Sequence, residues 1–140
     1  MFDPLAASVR VAGSGLQAQS HRVRIVSENL ANYDSTGNTP GANPYTRKTI
    51  TFGAELDRAL GATVVRIKRI DFDHTPYPLQ RDPSNPAADA SGMVKHPNVN
   101  MLTELADIRE ANRSYEANLQ VVKQARAMIG MTIDLMRSNS

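Results

Sequence analysis

Residues 1–32 read MFDPLAASVRVAGSGLQAQSHRVRIVSENLAN, and this segment sets the architecture of the chain. Apolar side chains recur in it at alternating steps of three and four, which is the spacing of a heptad seam on a helix. The seam positions are Phe2, Leu5, Val9, Ala12, Leu16, Gln19, Val23, Val26 and Leu30. Asp3 followed by Pro4 suits the N-cap and the first helical position. The pattern therefore predicts an N-terminal helix with one narrow apolar stripe.

Two glycines interrupt this otherwise regular helix. Gly13 and Gly15 each weaken a helix by about 1 kcal/mol relative to alanine. Their presence inside the seam indicates a close backbone contact with a neighbour or a local bend, and a tolerated flaw is the alternative.

The C-terminal segment repeats the heptad spacing over a longer distance. Its seam positions are Met101, Leu105, Ile108, Asn112, Tyr115, Leu119, Val122, Arg126, Ile129, Ile133 and Met136. A helix over 101–137, capped by Asn100 or Thr103, would be about 55 Å long at 1.5 Å per residue, so it needs a partner along its length. Asn112 in the seam favours fixed register and partner choice. Ala125 replaces Arg126 if the stripe drifts at 3.6 residues per turn, and both readings stay open.

The middle of the chain has a different composition. A polar loop over 29–44 precedes two alternating segments, 46–52 and 63–72, which predict β-strands with a bulge near Lys68. A helical turn over 55–60, ended by Gly61, is expected between them. Residues 75–92 contain four prolines and predict an irregular, extended segment.

These patterns predict a mainly α fold in which N- and C-terminal helices form a coiled-coil-like pair around a small irregular β region. The expected division is an N-terminal core helix at 1–32, a loop and small β-rich outer domain at 33–96, and a C-terminal core helix at 97–140. The seams need partners, so we expect the assembly interface to lie on them. Its residues are Leu5, Val9, Ala12, Leu16, Val23, Val26, Leu30, Leu105, Ile108, Asn112, Tyr115, Leu119, Val122, Ile129 and Ile133. An outer-face change such as Gln124→Asp should be nearly silent unless that face meets a second neighbour.

Composition and motifs argue against most chemical functions. The 140 residues contain no cysteine, are 41% hydrophobic and carry a net charge of +2, too small to indicate a nucleic-acid partner by itself. His21, His74 and His96 lack the spacing of a metal site, and Ser14 lacks the strand context of a nucleophile. The basic residues Arg66 to Arg69 are followed by acidic ones, as on a solvated strand face. We expect no catalysis, cofactor, metal, nucleic acid or small-molecule substrate. Neither a transmembrane segment nor a cleaved signal peptide is expected.

Five short segments together carry a family resemblance. They are AGSGLQAQ at 12–19, NLAN at 29–32, DPSNPAADASG at 82–92, MVKHPNVN at 93–100 and RSYEAN at 113–118. The chain resembles, over essentially its whole length, the proximal rod members of the bacterial flagellar rod and hook family. NLAN is shared by rod and hook proteins generally, whereas the 82–92 and 97–100 motifs resemble the proximal rod members. Met93 and Leu105-Ala106 stand where the family usually has Tyr and Met-Val.

The resemblance implies a structural subunit that assembles through its terminal helices into a hollow, torque-transmitting rod in the periplasm. It implies copies of itself and other rod proteins as partners, together with the inner-membrane ring and the export gate. It also implies export by the flagellar type III apparatus without a cleaved signal. The alternatives are a coiled-coil adaptor, a small nucleic-acid-binding assembly factor and, as a third class, an enzyme.

Overall fold

The computed structural model describes residues 3–140, so Phe2, the first position of the predicted seam, lies outside the described residues. The described chain forms two long helices with four strands between them. In order, the elements are α1 (Pro4–Ala31), β1 (Lys48–Asp57), β2 (Ala62–Phe72), β3 (Leu79–Arg81), β4 (Met93–Lys95) and α2 (Met101–Ser138). Strand β1 pairs with β2, and β3 pairs with β4. The two terminal helices and the small β region are confirmed, whereas coiled-coil pairing of the helices stays a prediction.

Both helices begin where the sequence predicts, because an acidic or amide side chain caps each. The Asp3 carboxylate accepts a hydrogen bond of 3.0 Å from the backbone amide of Leu5 at the start of α1. Asn100 Oδ1 accepts from the amides of Leu102 at 3.0 Å and Thr103 at 3.3 Å, so Asn100, rather than Thr103, caps α2. The cap geometry thus fixes the first turn of each helix.

The predicted helical turn over 55–60 is wrong, because β1 continues to Asp57 and a tight hairpin follows. The Asp57 carboxylate accepts from the amides of Ala59 at 3.0 Å and Leu60 at 3.3 Å, which closes a side-chain-to-backbone turn. Gly61 then adopts a φ of 60°, the left-handed conformation that glycine takes without steric cost. These residues bring the chain directly back into β2.

The proline-rich segment contains a second hairpin that the sequence did not predict. Leu79 pairs with Lys95 and Arg81 with Met93 in an antiparallel ladder. Between the two strands, Asp89 accepts hydrogen bonds from Ser91 and from the amide of Met93. These bonds, led by that of the Ser91 hydroxyl, lower the pKa of Asp89 below its usual range. Gly92, with a φ of 79°, completes the turn.

The loop before β1 is held within the subunit, although its polar composition suggested little contact there. Its backbone is tied at both ends, since the amide of Tyr45 donates to Ser35 at 2.9 Å and that of Gly41 donates to Ala87 at 3.1 Å. Pro44 and Ala87 are buried beneath it. The Tyr45 amide thus ties the segment before β1 back to the start of the loop.

The chain divides into two compact units, each with a small core. The first combines the described part of Met1–Arg22 with Thr51–Lys68 and Glu110–Ser140, and its core contains Ala12, Ala18, Val64, Ala111, Val122 and Ala125. The second combines Val23–Ile50 with Arg69–Arg109, and its core contains Ile25, Val26, Ala87 and Val94. The predicted division into core helices and outer domain stays a prediction. Within residues 3–140, neither helix has a segment long and apolar enough to cross a membrane.

Candidate assembly site

The predicted seam of α1 is covered along its described length. Ala12 and Val26 are buried, and the remaining apolar seam positions are half-buried; these are Leu5, Val9, Leu16, Val23 and Leu30. At the polar seam position, the side-chain oxygen of Gln19 is buried without a hydrogen-bond partner among residues 3–140. The fully buried residues Gly15, Ala18 and Asn29 lie one position before the predicted Leu16, Gln19 and Leu30, so the covered face of α1 overlaps the predicted stripe without coinciding with it.

Within the first unit, α1 and α2 lie side by side and run in opposite directions. A Cβ atom at Gly15 would lie 2.7 Å from Nδ2 and 2.9 Å from Cγ of Asn118, so only glycine fits there without movement of Asn118. About two turns further along α1, Arg22 pairs with Glu110 at 3.4 Å. The close backbone contact expected from the glycines is confirmed at Gly15. Gly13 has open space instead, with nothing within 4 Å of its Cβ position.

The covered face of α2 is rotated by about one residue from its predicted seam. Val122 is buried and Ile108, Leu119 and Ile129 are half-buried, as expected for seam positions. At three other places the preceding residue is buried instead, namely Glu104, Ala111 and Ala125 in place of Leu105, Asn112 and Arg126. The offset is the same at 104, 111 and 125, so the covered face keeps the heptad repeat, with the fully buried residue one position earlier than the pattern predicts. At Arg126 the structure therefore follows the reading with Ala125.

Four predicted interface residues of α2 do not take part in covering α1 within the single chain. Leu105, Asn112, Tyr115 and Ile133 are exposed. Their place in an interface between subunits stays a prediction. Large apolar side chains on a helix surface, repeating along its length, are typical of an interaction face.

In the second unit, a buried polar cluster joins the end of α1 to the start of α2. Glu104 is completely buried and Asn29 is 1% exposed, which is unusual for these residue types. Asn29 Nδ2 donates to Glu104 Oε2 at 3.2 Å, and Arg47 Nε donates to Glu104 Oε1. A buried carboxylate is costly unless it is paired and hydrogen-bonded, and here it is both.

Asn29 also fixes the start of β1. Its Nδ2 donates to the carbonyl of Lys48 and its Oδ1 accepts from the Lys48 amide, both at 2.9 Å. Its Oδ1 further accepts from the Tyr45 hydroxyl at 2.8 Å. The side chain thus mimics a strand partner for Lys48, and both N–H groups and the oxygen of the Asn29 amide have partners.

Arg47 extends the cluster toward the end of β2 and the segment before α2. Its Nη1 pairs with Asp73 at 3.2 Å, and its backbone amide donates to Asn98 Oδ1 at 2.8 Å. Asn98 Nδ2 donates in turn to the carbonyls of Asp73 and Thr75, each at 3.0 Å. One arginine and one asparagine therefore hold together three segments that are far apart in the sequence.

The electrostatics of the cluster favour the charged forms of Arg47 and Asp73 and the neutral form of Tyr45. Hydrogen bonds from the Thr75 hydroxyl and amide, with Arg47 alongside, lower the pKa of Asp73 below its usual range. Burial alone would lower the pKa of Arg47, but the hydrogen bonds and charges of Glu104 and Asp73 outweigh it and raise that pKa. Burial, together with the charges of Glu28 and Glu104, raises the pKa of the Tyr45 phenol. Each group is held in the state in which it binds its neighbours, which suits a structural joint.

The sequence motifs contain the residues of this cluster, although their role was not predicted. Asn29 begins NLAN, and Asn32 ends it by donating to the carbonyl of Glu28 at 2.9 Å beyond the last turn of α1. Asn98 and Asn100 are the two asparagines of PNVN, one in the cluster and one capping α2. The sequence signal for the cluster was the presence of asparagines at the C-terminal end of α1 and just before α2, together with Arg47 immediately before β1.

The other candidates for chemistry have structural partners. Ser14 donates to the carbonyl of Val11 at 2.6 Å and accepts from the amide of Val65 at 3.0 Å, which fastens β2 to α1. In the basic run, Arg66 pairs with Glu55 at 3.7 Å and Arg69 with Asp71 at 3.4 Å. In the part of the chain that the structure describes, no group of three His, Cys, Asp or Glu side chains converges as a metal site.

Two family models match the chain at its ends. The one described as "Flagella basal body rod protein" matches residues 9–42, and the one described as "Flagellar basal body rod FlgEFG protein C-terminal" matches residues 90–135. The matched ranges contain Asn29 in the first and Glu104 in the second, so the two sides of the buried cluster fall in separate matches.

Curated relatives match over almost the full length. The chain is 58% identical, over 99% of both sequences, to the flagellar basal-body rod protein FlgC of Agrobacterium fabrum. It is 39% identical to the FlgC of Salmonella typhimurium, covering 89% of this chain and 92% of that protein. It is 34% identical to the FlgC of Borreliella burgdorferi, with 95% and 98% covered. These relatives give no support to an adaptor or a nucleic-acid-binding factor.

Proposed function

This chain belongs to the flagellar basal-body rod proteins and is a structural subunit of the rod. From this membership we propose that the chain self-assembles with other rod proteins through its terminal helices. The assembly is a hollow periplasmic shaft that transmits torque. The observation that carries this proposal is the row of exposed seam residues on α2, Leu105, Tyr115 and Ile133. A 38-residue helix that leaves heptad positions uncovered in the subunit has room for further helices.

The full proposed interface consists of the seam residues of both helices. On α1 they are Leu5, Val9, Ala12, Leu16, Val23, Val26 and Leu30, and on α2 they are Leu105, Ile108, Asn112, Tyr115, Leu119, Val122, Ile129 and Ile133. Those already covered within the subunit shape the helix pair, and those still exposed meet neighbouring subunits. The region 33–96 forms the outer domain in this arrangement, and 1–32 and 97–140 form the rod core.

The proposed partners are copies of this chain, other rod proteins, the inner-membrane ring and the export gate. The chain reaches the periplasm through the flagellar type III apparatus without a cleaved signal peptide. It has no catalytic role, cofactor, nucleic-acid partner or small-molecule substrate. These proposals are supported by membership of a structural protein family and by the polar residues of the chain being engaged with one another.

The test is replacement of the proximal rod protein in cells that lack their own. The unmodified chain should restore swimming and be recovered in purified basal bodies. Ile133→Asp places a carboxylate on an exposed seam position, so the subunit should fold with unchanged circular dichroism but fail to assemble. Ser20→Asp on the exposed, polar face of α1 is the matched control and should assemble. Recovery of Ile133→Asp in basal bodies at the level of the control would overturn the proposed interface.

Leu16→Asp and Leu119→Asp test the covered part of the seam. Both leucines are half-buried, and an unpaired carboxylate there costs several kcal/mol. We expect both variants to lose swimming, since the helix pair itself is weakened.

A further inference from the structure

Helix α2 has a second apolar stripe that the contact with α1 leaves uncovered. The outer stripe, as we name it, consists of Ala117, Val121, Gln124, Met128, Met131 and Leu135. These positions follow alternating steps of four and three, as in a heptad seam, and all six are exposed. At 3.6 residues per turn the outer stripe lies about 110° around the helix from the covered face of Ala111, Val122 and Ala125. A helix with two such stripes can contact two different neighbours.

Beside the start of the outer stripe lies a groove with small, mainly apolar walls. It is lined by Ala7, Ser8, Val11 and Ala12 of α1, Ala62 at the start of β2, and Asn118 and Val121 of α2. Small side chains let another helix approach closely, and apolar residues at steps of three and four on that helix would fill such a groove. The small side chains between Ala7 and Ala12 therefore leave a depression into which the side chains of another helix can pack.

The C-terminal part of the outer stripe cannot reach this groove in its own chain. Leu135 lies 14 residues beyond Val121 on the same helix, which corresponds to about 21 Å. The register set by Gly15 against Asn118 places Pro4 near Ile129, so the last nine residues of α2, 130–138, extend past the first residue of α1. This tail is exposed throughout and includes Met131 and Leu135. Within one chain this tail therefore stays away from the groove.

Charge also matches between the groove and the tail. Arg10, next to the groove residue Val11 in the sequence, keeps 68% of its side chain exposed and lies 3.9 Å from Asp57. Asp134 lies on the tail next to Met131 in the helical projection and is exposed. The opposite surface of α1, by contrast, is polar at Gln17, Ser20 and Arg24 and has no large apolar side chain along these positions.

We propose that the α2 tail of one copy docks into the groove of a second copy, with Met131, Leu135 and the preceding Met128 against Val11 and Ala62 and with Asp134 facing Arg10. The contact is heterologous, since a tail on one molecule meets a groove on the next, and such contacts build open, extendable arrays instead of closed dimers. This inference rests on the proposed rod function and adds which surface each subunit offers to its own kind. It also makes Gln124 an interface residue instead of an outer-face position.

Disulfide trapping tests the contact, because the chain has no cysteine of its own. One copy carries Val11→Cys and the other Leu135→Cys, and both are produced in the same cells before basal bodies are purified and oxidised. Each variant carries a single cysteine, so no disulfide can form inside one chain, and a crosslink reports Cα atoms of two copies within about 7 Å of each other. We expect a crosslinked pair from the mixture and none from either variant alone. Ser20→Cys in place of Val11→Cys is the control and should give no pair.

Two results would overturn the proposal while leaving the rod function intact. One is crosslinking of Leu135→Cys with itself, which would show tails meeting tails. The other is the presence of both variants in basal bodies with no disulfide between them. If the unmodified chain is itself absent from basal bodies, the rod function fails instead.

A charge exchange provides a second measurement without cysteine. Arg10→Asp and Asp134→Arg should each reduce incorporation into basal bodies, and the two changes together should restore it. Both residues are exposed, so subunit folding should be unaffected. A double variant that remains as poorly incorporated as the single variants would contradict the proposed pairing.

Discussion

The side-chain amide of Asn118 occupies the space into which a Cβ atom at Gly15 would project. That amide is itself held, since its Nδ2 donates to the carbonyl of Ser114 at 2.9 Å. Gly13, two residues earlier, has open space at the same position. The two glycines of one helix therefore differ in purpose, and substitution by alanine separates them.

Gly15→Ala should destabilise the subunit by about 1–3 kcal/mol, because the new methyl group displaces Asn118 and breaks its bond to the preceding turn. Gly13→Ala should instead stabilise it by up to about 1 kcal/mol, through the higher helix propensity of alanine. Urea denaturation followed by circular dichroism measures both. Equal effects of the two substitutions would contradict the close approach of the helices, and Asn118→Ala should relieve much of the cost at Gly15.

Arg47→Met should destabilise the protein strongly, since it leaves the Glu104 carboxylate buried without its cation. Removal of one partner of a buried ion pair typically costs about 3–5 kcal/mol. Arg66→Met, which removes the exposed pair with Glu55, is the matched control and should change the free energy of unfolding by less than about 1 kcal/mol. Adding Glu104→Gln to Arg47→Met should recover part of the loss. If the two arginine variants unfold at the same urea concentration, the cluster does not hold the unit together.

Stability should fall in acid partly because Asp73 becomes protonated. Its folded-state pKa is lowered, so the carboxylate contributes stability above the unfolded-state value near 3.9 and loses it as the pH falls through the folded-state pKa. Urea unfolding midpoints measured from neutral pH down into the acid range should decline less steeply in Asp73→Asn. Thr75→Val, which removes the hydroxyl hydrogen bond to Asp73, should raise the folded-state pKa of Asp73 and so reduce the stability that is lost in acid. A variant profile parallel to that of the unmodified chain would exclude this contribution.

Hydrogen exchange in a verified monomer should be fastest at the end of α2. Residues 130–138 are exposed and extend past the start of α1, whereas Ala111 and Val122 are buried against it. Amides of the tail should therefore exchange well before those around Val122, and assembly should slow them. Uniform protection along α2 in the monomer would show that the tail is stabilised without a partner.

The helices could be predicted from the sequence because their signals are local. Heptad spacing identified both, and Asp3, Pro4 and Asn100 marked their starts through caps that involve only neighbouring residues. The hairpin between β1 and β2 was partly predicted by alternation, but the turn at Asp57 was misassigned because an acidic residue before a short polar run suits a helical turn as well. The pairing of Leu79–Arg81 with Met93–Lys95 joins three-residue strands, too short for any periodic signal.

The polar cluster could not be predicted because its partners are distant in the sequence and their residue types are normally exposed. Nothing local distinguishes Glu104, which is buried, from Glu110, which is not. The one-residue offset on α2 has a similar origin. The predicted seam and the observed covered face both follow the heptad spacing, and they differ only in which residues α1 packs against. Gln124 was assigned to an outer face on the same local grounds, before the exposure of Val121 and Met128 showed an apolar stripe around it.

The bond between Asn29 and Glu104 joins residues 75 positions apart, and this separation affects when the subunit can become rigid. Bringing two residues so far apart in the chain into contact has a conformational entropy cost, because the loop between them must be closed. Whichever end of the chain emerges first from a narrow channel, the joint cannot close until most of the sequence is outside. If the chain is exported as proposed above, the buried cluster therefore forms, and the subunit becomes rigid, only after most of the chain has left the channel.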